Sequence, residues 1–339
     1  MLKKIVQVAA AAALGLGVAA AAQAQDKVRV SFNPQIYSWL PFFLGIDKGY
    51  FKDEKLDIEA TTYGGSALSQ IPMLARGDQD IAGMVTGPGF FNQYTEGFGI
   101  KLIASNAHAK QGWHDTMWMM VRKDVWDAGK VKSIADLRGL TIELGPKGSP
   151  VYLTSTQTIL AAGLSLKDVT TTERLRAVTD ALPLFRNKAM DVITMVEPIV
   201  GRLEAEGLAV RWKPSYELLP WFQESYLAAN PKFLTEKRDV TKRFLRAYLK
   251  AAKEITDGGG KWTPDTLAAV VKWSKFPKEV IEKIPGPQHV GQMGAIDTAS
   301  IERQQKIWME AGMVKEKRPL SEMVDTSIVE EVRKEMGIK

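Results

Sequence analysis

The stretch VRVSFNPQIYSWLPFFLGIDKGYFKDEKLDIEATTYGGSALSQIPMLARGDQDIAGMV, residues 28–85, decides the fold. Its apolar residues change period along the chain. VRVSF (28–32) alternates as a strand does, and LPFFLGIDKGYF (40–51) carries a helical spacing that closes at Gly49. LDIEATTY (56–63) reads as a strand, SALSQIPMLARG (66–77) as a helix and DIAGMV (80–85) as a strand again. Strands alternating with helices predict βαβ units and a mostly parallel sheet, hence an α/β protein.

Working outward, a helix is expected from Pro88 and a strand over IKLIAS (100–105). A second α/β series starts near residue 131, with strands at 141–145, 169–175, 190–196 and 208–212 and helices at 133–139, 149–164, 179–189 and 200–207. Between the two series lies TMWMMVRKD (116–124), whose dense apolar character is that of a buried connecting strand. SYLAAN (225–230) is one more extended run, and the remainder is helical: 239–258, 263–274, 277–284, 297–312 and 327–337. Thr263 before Pro264 has the form of an N-cap followed by proline at the first helical position.

The 339 residues are 45% hydrophobic and 25% charged with no cysteine, which excludes a disordered or disulfide-stapled chain and any thiolate chemistry. Residues 1–24 have the form of a cleaved export signal: Lys3 and Lys4, an Ala-rich apolar run, then Ala22-Gln23-Ala24. Removal of that segment, which holds two lysines and no acid, lowers the formal charge from +6 to +4. A charge so small, with no basic block, is not a nucleic-acid footprint. The mature protein is therefore expected outside the cytoplasm, in the periplasm of a bacterium.

In parallel sheets, ligands sit at the carboxyl ends of strands, where helix N-termini point. Four strand-to-helix loops qualify: the first, 33–39, contains Asn33, Gln35, Tyr37 and Trp39; the others contain Gly65-Ser66, Thr86-Gly87 and Gly148-Ser149. Tyr37, Trp39, Phe90, Phe91, Trp113, Tyr152, Trp221 and Phe222 lie in or beside loops, and about half are expected in the core with the rest against a ligand. Nucleotide motifs are missing: Gly258-Gly259-Gly260-Lys261 runs into Trp262 and follows a helix. His108 and His114 have no evident third ligand, so no metal and no cofactor is expected.

Several motifs resemble one family in order. Gly49-Tyr50-Phe51 ahead of Leu56-Asp57-Ile58, Gly64-Gly65-Ser66 with Leu74-Ala75-Arg76-Gly77, Asp136-Leu137-Arg138-Gly139, and Ala181-Leu182 with Met190-Asp191 and Glu197-Pro198 are similar to segments of ABC-importer substrate-binding proteins of the nitrate, sulfonate, taurine and thiamine-precursor superfamily. Val196 stands where that family often has Trp, which bears on a wall of the pocket. The resemblance implies a type II periplasmic binding protein, with lobe 1 over 25–120 and 228–339 (helical at its C-terminal end) and lobe 2 over 121–227. TMWMMVRKD and SYLAAN would be the two crossing hinge strands. It implies a non-enzymatic solute-binding protein, a monomer, whose partners are a small molecule and the permease and ATPase subunits at the inner membrane. Gly65, Ser66, Thr86 and Gly87 would face Ser149, Tyr152 and Glu197 across the cleft, with Tyr37, Trp39, Trp113 or Trp221 covering the ligand. The expected ligand is a sulfonate or an aromatic carboxylate; should Glu197 face the cleft, a pyrimidine or another heterocycle is the rival. The other rival is an enzyme of pyrimidine or menaquinone-precursor synthesis on the same fold.

Overall fold

A computed structural model describes residues 25–291 and 293–338, so the export signal read at 1–24 lies outside the described residues. The chain builds two five-stranded sheets. The first contains β1 (Asp26–Phe32), β2 (Leu56–Thr62), β3 (Ile81–Met84), β4 (Lys101–Ala107) and, arriving late, β10 (Ser225–Ala229), in the order β2-β1-β3-β10-β4. The second contains β5 (Met117–Arg122), β6 (Thr141–Glu143), β7 (Thr170–Thr172), β8 (Val192–Val196) and β9 (Ala209–Pro214), in the order β7-β6-β8-β5-β9. β1 pairs in parallel with β2 and β3, and β6 with β7 and β8. β10 is antiparallel to β3 and β4, and β5 is antiparallel to β8 and β9. Both sheets are thus mostly parallel, each with one reversed strand in fourth place.

Burial explains the order. All five residues of β8 and of β10 are buried, as inner strands covered on both faces require. The last four residues of β2 are exposed at a sheet edge. The runs 116–124 and 225–230 are not the crossings between sheets that the family resemblance implied; they form the reversed inner strands β5 and β10, and that position accounts for their apolar character. The chain crosses instead over 108–116 and 219–224, where no strand forms.

Helices cover the first sheet, the longest being α1 (Arg238–Asp257), which buries Phe244, Leu245, Tyr248, Leu249 and Ile255. Its outer side is held by Arg246 on Glu54 at 2.7 Å and Lys242 on Glu331 at 2.6 Å. Trp39 belongs to this core. It is 2% exposed, packs on Phe32 and Phe42 with centroids 5.8 and 5.5 Å away, and fills the space a Cβ would take at Gly83. Phe90, Phe91 and Phe222 are core residues too.

In the second sheet, the buried Glu143 at the end of β6 ties the loop after β6 to the loop after β7. Its Oε2 accepts from Thr172 Oγ1 (2.7 Å) and the Arg174 N–H (2.9 Å); its Oε1 accepts from the Gly145 N–H (3.1 Å) and the Leu175 N–H (3.2 Å). A carboxylate with four donors is stable without a cationic partner.

Two outcomes follow for stability, both read by thermal or urea unfolding. Trp39→Ala is expected to lower stability by roughly 3–5 kcal/mol, as removal of a core aromatic does. Glu143→Ala is expected to cost about 2–3 kcal/mol, because three backbone N–H groups lose their acceptor. Unchanged unfolding midpoints would contradict the packing described.

Candidate functional site

The carboxyl ends of the parallel strands of both sheets face one another, and a cavity of about 190 Å³ lies between them. The first sheet contributes Asn33 after β1, Tyr63 to Ala67 after β2, Gly83 to Val85 at the end of β3, and Asn106 of β4. The second contributes Pro146 and Ser149 after β6, Leu175 to Val178 after β7, and Val196 at the end of β8. Glu224 enters from the second crossing segment and Ser225 from the start of β10. Because β10 runs against its neighbours, its first residue lies at the edge where theirs end.

Local geometry accounts for each wall. Asn33 Oδ1 accepts from the Gln35 N–H at 3.0 Å, which turns the chain so that Asn33, Gln35, Ser38 and Trp39 all line the cavity. Gly65 has φ +75°, a left-handed turn that suits glycine and brings Ser66 round to cap the next helical turn. Ser66 Oγ accepts from the Leu68 N–H at 3.3 Å. Ser149 Oγ likewise accepts from the Tyr152 N–H at 3.1 Å and caps α2 (Pro150–Ala161). A capping hydroxyl keeps its own O–H to donate.

Six residues singled out from the sequence therefore line the cavity together: Asn33, Gln35, Trp39, Gly65, Ser66 and Ser149. Seven do not. Glu197 is fully buried and turned into a charge cluster: Oε1 meets His114 Nε2 at 3.0 Å and the Arg211 guanidinium at 2.9 Å, while Oε2 accepts the Gly201 N–H at 2.9 Å. Its neighbour Val196, at the position where the family resemblance expected Trp, forms the wall instead. Tyr37 packs edge-on to Trp262 at 5.8 Å, and burial together with the Glu197 charge raises its hydroxyl pKa. Trp113 lies on Gly260 and His289, and Trp221 under the Arg303 guanidinium at 4.3 Å.

The other three form a seam between the two sheets beside the cavity. A Cβ at Gly87 would stand 2.1 Å from the Gly148 carbonyl oxygen, so the two backbones touch there. Tyr152 stacks on Trp308 with centroids 6.1 Å apart, and the Trp308 indole N–H donates to the Thr86 carbonyl at 3.0 Å. Thr86 Oγ1 donates to Gln304 Oε1 at 2.6 Å, which occupies the hydroxyl expected to meet a ligand.

Two charged residues of the cavity were not read from the sequence. Arg176 is exposed, and among the described residues its guanidinium makes no ion pair. Glu224 is 7% exposed. Burial, and secondarily the charge of Asp115, push its carboxyl up to about 7. Neither residue sits in a glycine-rich turn, the signal used to pick loops; the position of Glu224 just before a reversed apolar strand is the one clue available. Among the described residues, no group of three or more His, Asp or Glu side chains is arranged to hold a metal ion, and no helix is long and apolar enough to cross a membrane.

Comparison with known proteins places this geometry. No curated protein matches the chain in sequence. Among solved structures, the periplasmic nitrate-binding protein NrtA from Synechocystis PCC 6803 aligns with 13% identity over 92% of this chain and 89% of its own, with a TM-score of 0.75. The periplasmic aliphatic sulphonate binding protein SsuA from Escherichia coli aligns with 16% identity over 89% and 92%, with a TM-score of 0.72. A mutant of DszB in complex with biphenyl-2-sulfinic acid aligns with 12% identity over 92% and 99%, at a TM-score of 0.63. At these identities the likeness establishes the α/β fold of periplasmic binding proteins. The sequence model of the family described as NMT1/THI5 like matches residues 37–258, more than half of the chain, and the protein belongs to that NMT1/THI5-like family.

Proposed function

We propose that the protein is the exported, periplasmic solute-binding component of an ABC importer, a monomer that captures a compact organic anion without transforming it and presents the closed form to a permease and its ATPase. Each sheet with its helices is one lobe, and residues 108–116 and 219–224 are the hinge. The observation that carries the ligand class is Arg176: a cation without an acid partner on the same cavity as Ser66 and Ser149, whose O–H groups are available to donate. A sulfonate or carboxylate there would meet a guanidinium, hydroxyl donors and the positive end of α2. The wall of Trp39, Met84, Val151, Leu175 and Val196 suits a flat apolar body, which favours an aromatic or short alkyl group on the anion.

A thermal-shift screen over aryl and alkyl sulfonates and aromatic carboxylates tests this reading. A ligand at 100 times its dissociation constant raises stability by about 2.7 kcal/mol. Arg176→Ala is expected to weaken the bound anion about five- to thirty-fold, worth ~1–2 kcal/mol, with no change in the unfolding midpoint of the free protein. A screen in which no anion shifts the midpoint would overturn the reading.

The seam gives a separate expectation. Gly87 has φ −88°, so alanine suits its backbone, yet a methyl group there collides with the Gly148 carbonyl. Gly87→Ala is expected to leave the free protein's stability within ~0.5 kcal/mol and to weaken solute binding about tenfold or more, because the lobes can no longer meet. Equal calorimetric affinities for parent and variant would show that the seam is not part of the bound state.

A further inference from the structure

We propose that Glu224 is a specificity-determining residue of this cavity: its Oε1 takes a hydrogen bond from an N–H group of the solute, while its Oε2 ties the two crossing segments together. The inference rests on the reading of the cavity as a solute site and adds a second requirement to it, a solute that carries an N–H donor as well as an anionic group.

Three observations support it. First, Glu224 is the cavity's one carboxylate among the described residues, and its two oxygens are not equivalent. Gln288 Nε2 donates to Oε2 at 3.1 Å and Thr116 Oγ1 to the same oxygen at 3.4 Å, whereas no protein donor among the described residues reaches Oε1. Oε1 keeps access from the cavity side, where an N–H donor of a solute can meet it.

Second, the residue lies where the chain changes sheets. Thr116 ends the first crossing segment and Glu224 ends the second, so their contact joins the two connections. Each has a neighbour fixed to one side only. Gln223 is bound into the first sheet's body: its N–H donates to Ser300 Oγ (2.8 Å), its Nε2 to Ser105 Oγ (2.6 Å), and its Oε1 accepts the Asp297 N–H (2.7 Å). Asp115 is bound to the second sheet's elements: its Oδ2 accepts from Ser215 Oγ (2.7 Å) and the Tyr216 N–H (3.0 Å), its Oδ1 from the Met117 N–H (3.0 Å). A group that pulls on Glu224 therefore acts at the junction of the two bodies.

Third, the electrostatics give the contact a pH dependence. The charged group facing Glu224 within the protein is Asp115, itself shifted upward by burial; Gln288 and Thr116 are neutral, and Arg176 shares the cavity from its exposed side. Burial and Asp115 hold the Glu224 carboxyl near 7. An N–H donor needs the ionised form, so its contribution grows as pH rises through about 7 and fades below it.

Matched probes test the assignment: benzenesulfonate against 3-aminobenzenesulfonate, and benzoate against 3-aminobenzoate, titrated by calorimetry at pH 6 and 8.5 into the parent and Glu224→Gln. The amino member of a pair is expected to bind about tenfold or more tightly at pH 8.5, with most of that advantage gone at pH 6 and none at either pH in E224Q. Equal binding of the two members by the parent, or an amino preference that survives in E224Q, overturns the assignment. Binding by neither pair counts against the anion reading of the preceding section, and the ligand-free protein then decides the present one. A carboxyl raised on folding contributes its full stability below its unfolded pKa and loses it as pH rises through about 7. The parent is expected to lose stability relative to E224Q between pH 6 and 8.5; superimposable pH profiles overturn the assignment.

Discussion

One inner strand in each sheet runs against its neighbours, and the site depends on that reversal. A parallel strand brings its carboxyl end to the cleft and its amino end to the far side. β5 and β10 do the opposite, so the segments that lead into them, 108–116 and 219–224, are delivered to the cleft. The second crossing reaches the cavity wall at Glu224, and the first ends against that residue at Thr116. Glu224 is both a cavity residue and the end of a crossing for this reason, and Thr116 and Asp115 stand beside it for the same one.

The cavity walls are shared with the structural core. Trp39 fills the first sheet's interior, excludes a side chain at Gly83 and presents an edge to the cavity. Glu143 holds the loop that carries Arg176 through the Arg174 and Leu175 N–H groups, anchors the end of β7 at Thr172, and does not line the cavity itself. Such sharing keeps polar groups in place at small entropic cost, because the side chains that orient them are already fixed by packing. The cluster of Glu197, His114 and Arg211 is of the other kind: the fully buried Glu197 carboxylate is held by both partners, secures the second sheet near the crossing and leaves the cavity wall to Val196.

Much of the architecture was legible in the sequence because hydrophobic period reports burial. VRVSF, LDIEATTY and MDVITMV fell where strands formed, and the spacing over 239–258 gave the long helix. Asn33, Gln35, Trp39, Gly65, Ser66 and Ser149 reached the cavity because glycine turns and helix caps follow parallel strands by geometric necessity. Thr86 and Gly87 also follow a parallel strand, but their turn meets the Gly148 carbonyl of the second sheet's loop instead of the cavity. Turn chemistry is local, and what a turn faces is set by the other half of the molecule. Aromatic residues in loops misled similarly: Tyr37, Trp113 and Trp221 found partners distant in sequence in Trp262, His289 and Arg303. Glu197 and Glu224 are indistinguishable as letters. Only the positions of His114 and Arg211, far away in sequence, turn one into a structural anchor and leave an oxygen of the other unpaired.

The central claim is that two bodies close on a solute around these crossings. The absence of cysteine makes a direct measurement simple. Spin labels at Lys52→Cys on the first body and Leu160→Cys on the second, both exposed positions, report the distance between them by pulsed electron resonance. The account predicts a broad or longer distance in the free protein and a shorter, narrower one when a solute that raises the unfolding midpoint is added. One unchanged distribution in the presence and absence of that solute would contradict it.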